Sequence, residues 1–335
     1  MKKTNEIRIY AAGGGACNIV SELESTRGEV SEGFATALPC YIDTSRSNLI
    51  NKRIDEAHTY FFEGMDGSGK VRAANYEEIT KNALAILQKF KPTAFNIVVH
   101  TASGGSGSVI APVLVSELKS RGEQVIVITI GSTDTRIEIE NTIKTLKSYE
   151  SIAGLRKSPV VMHYVQNTEH LSRQAVNKQV KTAISLLCGL FSGQNEELDT
   201  ADLKNWMEYL KFSNGPAQLA SLNFVTDQKD LDAFGTVVSV ATLAVPNMST
   251  RLANTVPAYQ CVGYVPELWR VGASDSVQLI GDEPIHYTIS TDFITKATNA
   301  LNATLKDVDA AYASRVARTS ILDRDDTATD NGLVL

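Results

Sequence analysis

Four cysteines in 335 residues, at positions 17, 40, 188 and 261, form no Cys-x-x-Cys pair and no cluster with histidine. That scatter argues against a disulfide framework and against a zinc site. No apolar run approaches the ~20 residues of a membrane span. The longest candidate, near Val237 to Val245, is interrupted by Ser239 and Thr242. The opening Met1-Lys2-Lys3-Thr4-Asn5-Glu6 leads straight into a strand-like run and lacks the apolar centre of a secretion signal. A cytoplasmic chain with no membrane partner is therefore expected. Basic charge is not in excess either: the formal net charge is −6, which speaks against a dedicated nucleic-acid binder. No internal repeat is evident. What is left is an ordinary globular composition, 43% hydrophobic and 21% charged, long enough for two domains.

Glycine is where the chain becomes informative. Phe95-Asn96-Ile97-Val98-Val99-His100 suits a buried parallel strand and runs into Thr101-Ala102-Ser103-Gly104-Gly105-Ser106-Gly107-Ser108. Val109 to Arg121 follows, with a helical apolar stripe at 110, 113, 114, 115 and 118. Strand, glycine loop and helix in that order aim backbone N–H groups and a positive helix end at an anion. The same arrangement opens the chain, where the strand Glu6 to Ala12 meets Gly13-Gly14-Gly15-Ala16-Cys17-Asn18 and a helix marked by Ile19, Val20 and Leu23. A third loop, Glu63-Gly64-Met65-Asp66-Gly67-Ser68-Gly69-Lys70, follows the apolar run Thr59 to Phe62. One such loop could be a mere small-residue turn. Three on one edge predict a phosphate-rich ligand.

The remaining elements of the first 170 residues alternate. Pro39 to Asp43 is a short strand ending on Asp43-Thr44-Ser45, and Tyr76 to Phe90 is an amphipathic helix stopped before Pro92. Gln124 to Ile130 and Pro159 to Val165 read as strands, with Ile137 to Tyr149 helical between them. The expected fold is α/β, a doubly wound parallel sheet with its ligand at the strands' carboxyl edge. A long central helix spans 171–195, and a loop and short helix occupy 196–214. Asn214-Gly215-Pro216 marks a boundary to a smaller α/β domain, 215–290, with strands at Gly235 to Val245, Ala258 to Val265 and Ile285 to Ser290. A last helix, 291–320, leads to an acidic tail, 321–335.

Two familiar nucleotide motifs fail. Gly64 to Lys70 has phosphate-loop spacing, but Val71 stands where a Ser or Thr hydroxyl must hold magnesium. No loop supplies the G-x-G-x-x-G spacing of a dinucleotide fold. All of the loops together resemble the tubulin/FtsZ superfamily, whose GGGTGSG signature is similar to Thr101 to Ser108. The resemblance extends in order across at least the first 205 residues. It implies a GTP/GDP site in which Gly14, Gly15, Ala16 and Asn18 wrap the phosphates and Asp43 and Ser45 form a second loop. Gly67, Ser68, Gly69 and Lys70 then sense the γ-phosphate, and Gly104, Gly105, Ser106, Gly107 and Ser108 cradle the phosphates. Arg136 and Glu138 fall on the ribose side, and Asn167 and Asn177 read guanine, whose edge suits an amide's donor and acceptor. Each asparagine alone could be a cap or surface residue. Magnesium would be held mainly by the nucleotide, with no metal site from the protein alone.

Leu198-Asp199-Thr200-Ala201-Asp202 resembles the family's N-x-D-x-x-D loop, with Glu197 in place of the asparagine. The resemblance implies that Asp199 and Asp202 act on the nucleotide of the adjacent subunit in a head-to-tail filament. Read locally, the same two acids cap a helix. Ser103, Ser106 and Val109 also depart from the glycine-rich signature. Within the superfamily the chain is similar to bacteriophage tubulins of the PhuZ type, whose acidic tail docks on a neighbouring subunit and whose filaments position phage DNA or the phage nucleus in the host cytoplasm. Asp323, Asp325, Asp326 and Asp330 supply such a tail, which could equally be a solvated charge run. The expectation is a polymerising GTPase with no nucleic-acid partner of its own. The alternatives are a plasmid-partition or FtsZ-like division protein, a non-polymerising regulator, or a P-loop ATPase.

Overall fold

Apolar residues two apart along each strand divide between the two faces of one sheet, and helices cover both. The computed structural model describes residues 5–25, 34–50, 53–168, 170–227, 229, 231, 234–252, 255–266 and 283–316. In chain order the elements are β1 (Glu6–Ala12), α1 (Gly14–Ser25), β2 (Thr36–Asp43), β3 (Thr59–Phe61), α2 (Tyr76–Lys89), β4 (Phe95–Thr101) and α3 (Gly107–Ser120). There follow β5 (Val125–Ser132), α4 (Arg136–Arg156), β6 (Val160–Asn167), α5 (Arg173–Leu190), α6 (Thr200–Met207) and β7 (Leu219–Val225). Last come β8 (Val237–Ala244), β9 (Tyr259–Tyr264), β10 (Ile285–Ser290) and α7 (Phe293–Val316). The strands lie in the order β3-β2-β1-β4-β5-β6-β7-β10-β8-β9. Those from β3 to β7 are parallel to their neighbours, and β10 runs antiparallel to both β7 and β8.

Register builds the core. Ile9, Ile97, Ile126, Val161 and Ala220 stand side by side across β1, β4, β5, β6 and β7. All five are buried in one apolar layer with α1, α5 and α6. The alternate positions, among them Tyr10, Val98, Val127 and Met162, pack on the other face against α2, α3, α4 and α7. On α5, Val176, Val180, Ala183, Ile184 and Leu187 form the buried stripe, the spacing that lays one helix face on a sheet.

The expected α/β fold with a long central helix is the one found, with two local differences. Helix α1 begins at Gly14, so the residues read as a loop before Ile19 are its first turns. Glycine is a poor helix former, which hid this start. Strand β7 was not anticipated: Leu-Ala-Ser-Leu-Asn-Phe-Val has no clean alternation because it is buried on both faces. Through β7 the sheet crosses Gly215 without a break, with Val160 to Met162 paired to Leu219 to Ser221. The acidic tail, with Asp323, Asp325, Asp326 and Asp330, lies outside the described residues.

Candidate functional site

Strand order reverses between β1 and β4, which are neighbours although two strands separate them in sequence. A doubly wound sheet opens a crevice at its carboxyl edge at such a switch point, and the loops after β1 and β4 meet there. Gly13 turns out of β1 with φ +85°. A Cβ on Gly13 would lie 2.8 Å from the Gly107 Cα, and a Cβ on Gly107 would lie 2.6 Å from the Ala12 carbonyl oxygen. The two loops therefore touch backbone to backbone, and only glycine permits it. The Ser106 hydroxyl ties in two more loops, 2.5 Å from the Thr44 hydroxyl and 3.1 Å from that of Ser68.

The loop after β3 folds over this floor with Gly67, Gly69 and Lys70 all at positive φ. Lys70, at φ +65°, is held there from both ends. Asn141 donates through Nδ2 to the Lys70 carbonyl (2.9 Å) and to that of Ser103 (3.1 Å), while the Lys70 ammonium meets Glu138 at 2.8 Å. Burial opposes ionisation of Glu138, but Lys70 and the Ser132 and Thr135 hydroxyls outweigh it and hold the carboxyl below its usual range. Asp43 ends β2 almost fully buried and accepts from the Thr44 N–H (2.6 Å) and from Asn48 Nδ2 (2.7 Å). Burial pushes its carboxyl up against those hydrogen bonds.

Two adjoining cavities result. One, of about 390 Å³, is lined by Gly14, Gly15, Asn18, Asp43, Ser45, Gly67, Ser68, Gly69 and Gly104 to Gly107. The other, of about 900 Å³, is lined by Asn18, Glu138, Asn167 and Asn177, with Ser132, Asp134 and Leu171. Gly15, Asn18, Thr101, Gly104 and Arg173 belong to both. These sizes fall in the ~300–1,000 Å³ of small-molecule sites. The first cavity offers backbone N–H groups at two helix starts; the second offers three amide side chains. A nucleoside phosphate matches that division.

Four expected residues are placed differently from the rest. Ala16 is buried in the core, and Ser108 is buried with its hydroxyl donating to the Gly105 carbonyl (3.0 Å). Lys70 stands behind the wall on Glu138, and neither cavity is lined by it. Arg136 pairs with Asp309 of α7 and with Glu140 (2.6 Å), and it lines neither cavity. Asn167 lines the larger cavity with its amide nitrogen donating to Asp134 (3.0 Å). Sequence reasoning missed Arg173, Asn48 and Asp134. For Arg173 a signal existed: a cation in the first turn of α5 opposes the helix dipole. Asn48 and Asp134 act through the fold, on Asp43 and Asn167, and carried no sequence pattern.

Asp199 and Asp202 are not brought to these cavities. Asn177 lies in the first turns of α5, and the acids follow its other end. A helix of 18 residues is about 27 Å long. Asp199 caps α6, accepting the Asp202 N–H at 2.9 Å, and Asp202 accepts the Asp199 N–H at 3.3 Å. Such a capping box satisfies two otherwise orphaned donors. Among the described residues, no cluster of three or more His, Cys, Asp or Glu could hold a metal ion, and no helix is long and apolar enough to cross a membrane.

A phosphate-sized floor at a sheet's switch point, opening into an amide-lined chamber, is the architecture of a mononucleotide-binding α/β protein. No family model matches the chain. It is 30% identical over 340 residues to the phage tubulin-like protein of Pseudomonas phage phiKZ, covering 98% of this chain and 97% of that one. The corresponding protein of Pseudomonas phage PhiPA3 is 28% identical over 88% of this chain and 91% of its own. Among solved structures, the protofilament of TubZ from bacteriophage PhiKZ superposes with a TM-score of 0.82 at 30% identity, covering 99% of each chain. The phage tubulin PhuZ solved with GDP gives 0.81 at 22% identity, over 99% of this chain and 100% of that one. The chain belongs to the phage tubulin-like proteins, a branch of the tubulin/FtsZ superfamily.

Proposed function

We propose that this chain is a GTP-binding, GTP-hydrolysing protein that polymerises head to tail into dynamic filaments. In this reading the filaments position phage DNA or the phage nucleus in the host cytoplasm. One observation carries the polymer: the cavities and the Asp199–Asp202 pair sit at opposite ends of α5. A subunit cannot fold its own carboxylates onto its own pocket, but stacking subunits along that axis would bring one to the other. The likeness to a TubZ protofilament supports the stacking, and the likeness to a GDP-bound phage tubulin supports the base.

In this reading the residues divide the labour. Backbone N–H groups at Gly14, Gly15 and Gly104 to Gly107 bind the phosphates with Asn18 beside them, and Asn167 and Asn177 read the guanine edge. Arg173, shared by both cavities, supplies a cation where phosphates and sugar join. The close approach of the two loops, which a Cβ at 13 or 107 would prevent, leaves glycine backbone at the floor where the phosphates are proposed to lie. Magnesium carried in on the phosphates supplies charge neutralisation. Asp199 and Asp202 of the next subunit orient the attacking water and take its proton. The acidic tail docks on a neighbour and strengthens the polymer.

Light scattering with GTP and with ATP tests this directly. GTP should drive assembly and ATP should not. Asp202→Ala should form stable filaments with turnover reduced on the order of 100-fold. Assembly with ATP, or unchanged turnover of the variant at high protein concentration, would refute the proposal.

A further inference from the structure

One contact at the far end of α5 goes beyond the carboxylate pair. The Tyr259 hydroxyl, at the start of β9, donates to Asp202 Oδ1 at 2.8 Å. Asp202 Oδ2 accepts the Asp199 N–H on the other side. Both oxygens of one carboxylate are thereby engaged from different elements, which fixes its rotation as well as its position. Neither contact consumes the whole acceptor capacity, because an ionised carboxylate has about four lone-pair sites. Asp202 can therefore be held and still accept a proton or a water.

Tyr259 is itself held. Its ring stacks on Phe212, centroids 4.7 Å apart at 27°. On the same strand, Tyr264 exchanges backbone hydrogen bonds with Glu196, at 2.8 and 2.9 Å, and so pins the loop that leads into α6. Cys261, two residues along β9, is buried beside the same acids. Burial and the Asp202 carboxylate push the Tyr259 phenol up to about 12, so the hydroxyl stays a donor throughout the neutral range. At the other end of α6, the Trp206 carbonyl accepts from the Ser239 hydroxyl at 2.9 Å. Strands β8 and β9 thus grip α6 at both ends.

We infer that Tyr259 is a positioning residue for hydrolysis, presenting the Asp202 carboxylate in the one rotation that suits the neighbouring subunit's nucleotide. The inference rests on the proposed trans role of Asp202. Precise placement of a general base or water-orienting group is worth orders of magnitude in rate. A tyrosine on an edge strand reaches across to supply it.

The test is Tyr259→Phe in the full chain, which keeps the ring and its stack on Phe212 and removes the hydroxyl alone. Three quantities are measured: fluorescent-GTP affinity of the monomer, critical concentration, and phosphate release per polymerised subunit. Turnover should fall about tenfold, about 1.4 kcal/mol, with affinity and critical concentration within about twofold of the parent. The same substitution in an Asp202→Ala background should cost nothing further, since a hydroxyl acting through Asp202 has nothing left to position. Full turnover in Tyr259→Phe with Asp202→Ala inactive would overturn this inference and leave the trans mechanism standing. Full turnover in both variants would overturn the mechanism beneath it. A raised critical concentration with normal turnover per polymerised subunit, or equal losses in both backgrounds, would make Tyr259 an interface or stability residue and overturn the inference as well.

Discussion

At the start of α5 the chain presents a cavity floored by glycine backbone; beyond its other end it presents carboxylates. The near end draws on loops after six strands, and a Cβ added at Gly13, Gly105 or Gly107 would run into Gly107, Ser68 or Ala12 of another loop or strand. Its shape exists only when the whole parallel half of the sheet is in register. The far end centres on one short helix, α6, where Asp199 at the N-cap and Asp202 in the first turn satisfy each other's backbone N–H groups and Tyr259 of β9 adds a bond to Asp202. The lesson is that a half-site made of N–H dipoles must be preorganised by global packing, whereas a half-site made of charges needs little more than a local cap and one long-range hydrogen bond. Local caps also let Asp199 and Asp202 stay hydrogen-bonded in a free subunit, so docking does not have to rescue a stranded charge.

The comparison breaks most visibly at Gly107. Its Cβ would fall 2.6 Å from the Ala12 carbonyl, a backbone atom with nowhere to go. Gly107→Ala should push the two loops apart with about 1–3 kcal/mol of strain. Fluorescence titration should show GTP affinity falling on the order of 100-fold. Affinity within twofold of the parent would mean the near end is not preorganised at all.

Acid probes both regions at once through buried histidines. His100, at the end of β4 beneath the phosphate loop, is held by burial to about 3 and meets the Tyr149 hydroxyl at 2.9 Å. His286, in the far half of the sheet, is held by burial to about 4 and meets the Thr242 hydroxyl at 2.9 Å. An unfolded histidine takes up its proton near pH 6.5. Below that pH the unfolded chain binds protons that the folded chain refuses, so stability is lost as pH falls from about 6.5 towards the folded values. Each histidine should contribute a loss of up to about 2 kcal/mol at pH 5. The raised Asp43 carboxyl offsets part of this at the near end, and the depressed Glu138 carboxyl adds to it. Urea midpoints at pH 7 and pH 5 measure the sum. A flat profile would show that neither site stays neutral when folded.

A smaller effect separates capping from chemistry at the far end. Asp199→Asn keeps an N-cap acceptor and removes the charge, whereas Asp199→Ala removes both. The alanine variant should lose about 1 kcal/mol of stability and the asparagine variant a few tenths. Both should lose turnover in the polymer if the charge matters to the neighbour. Parallel melting and phosphate-release assays read the two effects. Equal stability with equal turnover would reduce Asp199 to a surface residue.

The near end was legible in the sequence because its glycines recur after strands, and the strands themselves are long buried runs of Ile and Val. Asp43, Asn18 and Asn177 fell on the cavities for the same reason: fixed distances from readable strands and helices. Legibility failed where a residue's role is set by a partner far along the chain. Arg136 reads as a ribose-side cation but is drawn off by Asp309, 173 positions away. Tyr259 carries no motif, and its bond to Asp202 spans 57 positions. Strand β7 was hidden by burial on both faces, since a doubly buried strand has no alternation to read.

The smallest expected effect lies at Glu197, where the far end departs from its family pattern. Its backbone sits at φ +60°, a left-handed conformation that costs an ordinary L-residue roughly 1–2 kcal/mol and that asparagine tolerates better. The loop cannot relax out of it, because Glu196 is bonded on both sides to Tyr264 and Leu198 lies over Gly263. Any strain at Glu197 is therefore stored two residues ahead of Asp199, the N-cap of α6. Glu197→Asn should raise stability by about 0.5 kcal/mol, and Glu197→Gly by a similar amount because its gain is tempered by unfolded-state entropy. Monomer GTP affinity should not change, because the near end is built without this loop. A calorimetric melt that falls in both variants would mean that the glutamate side chain, rather than the backbone, is what the far end requires.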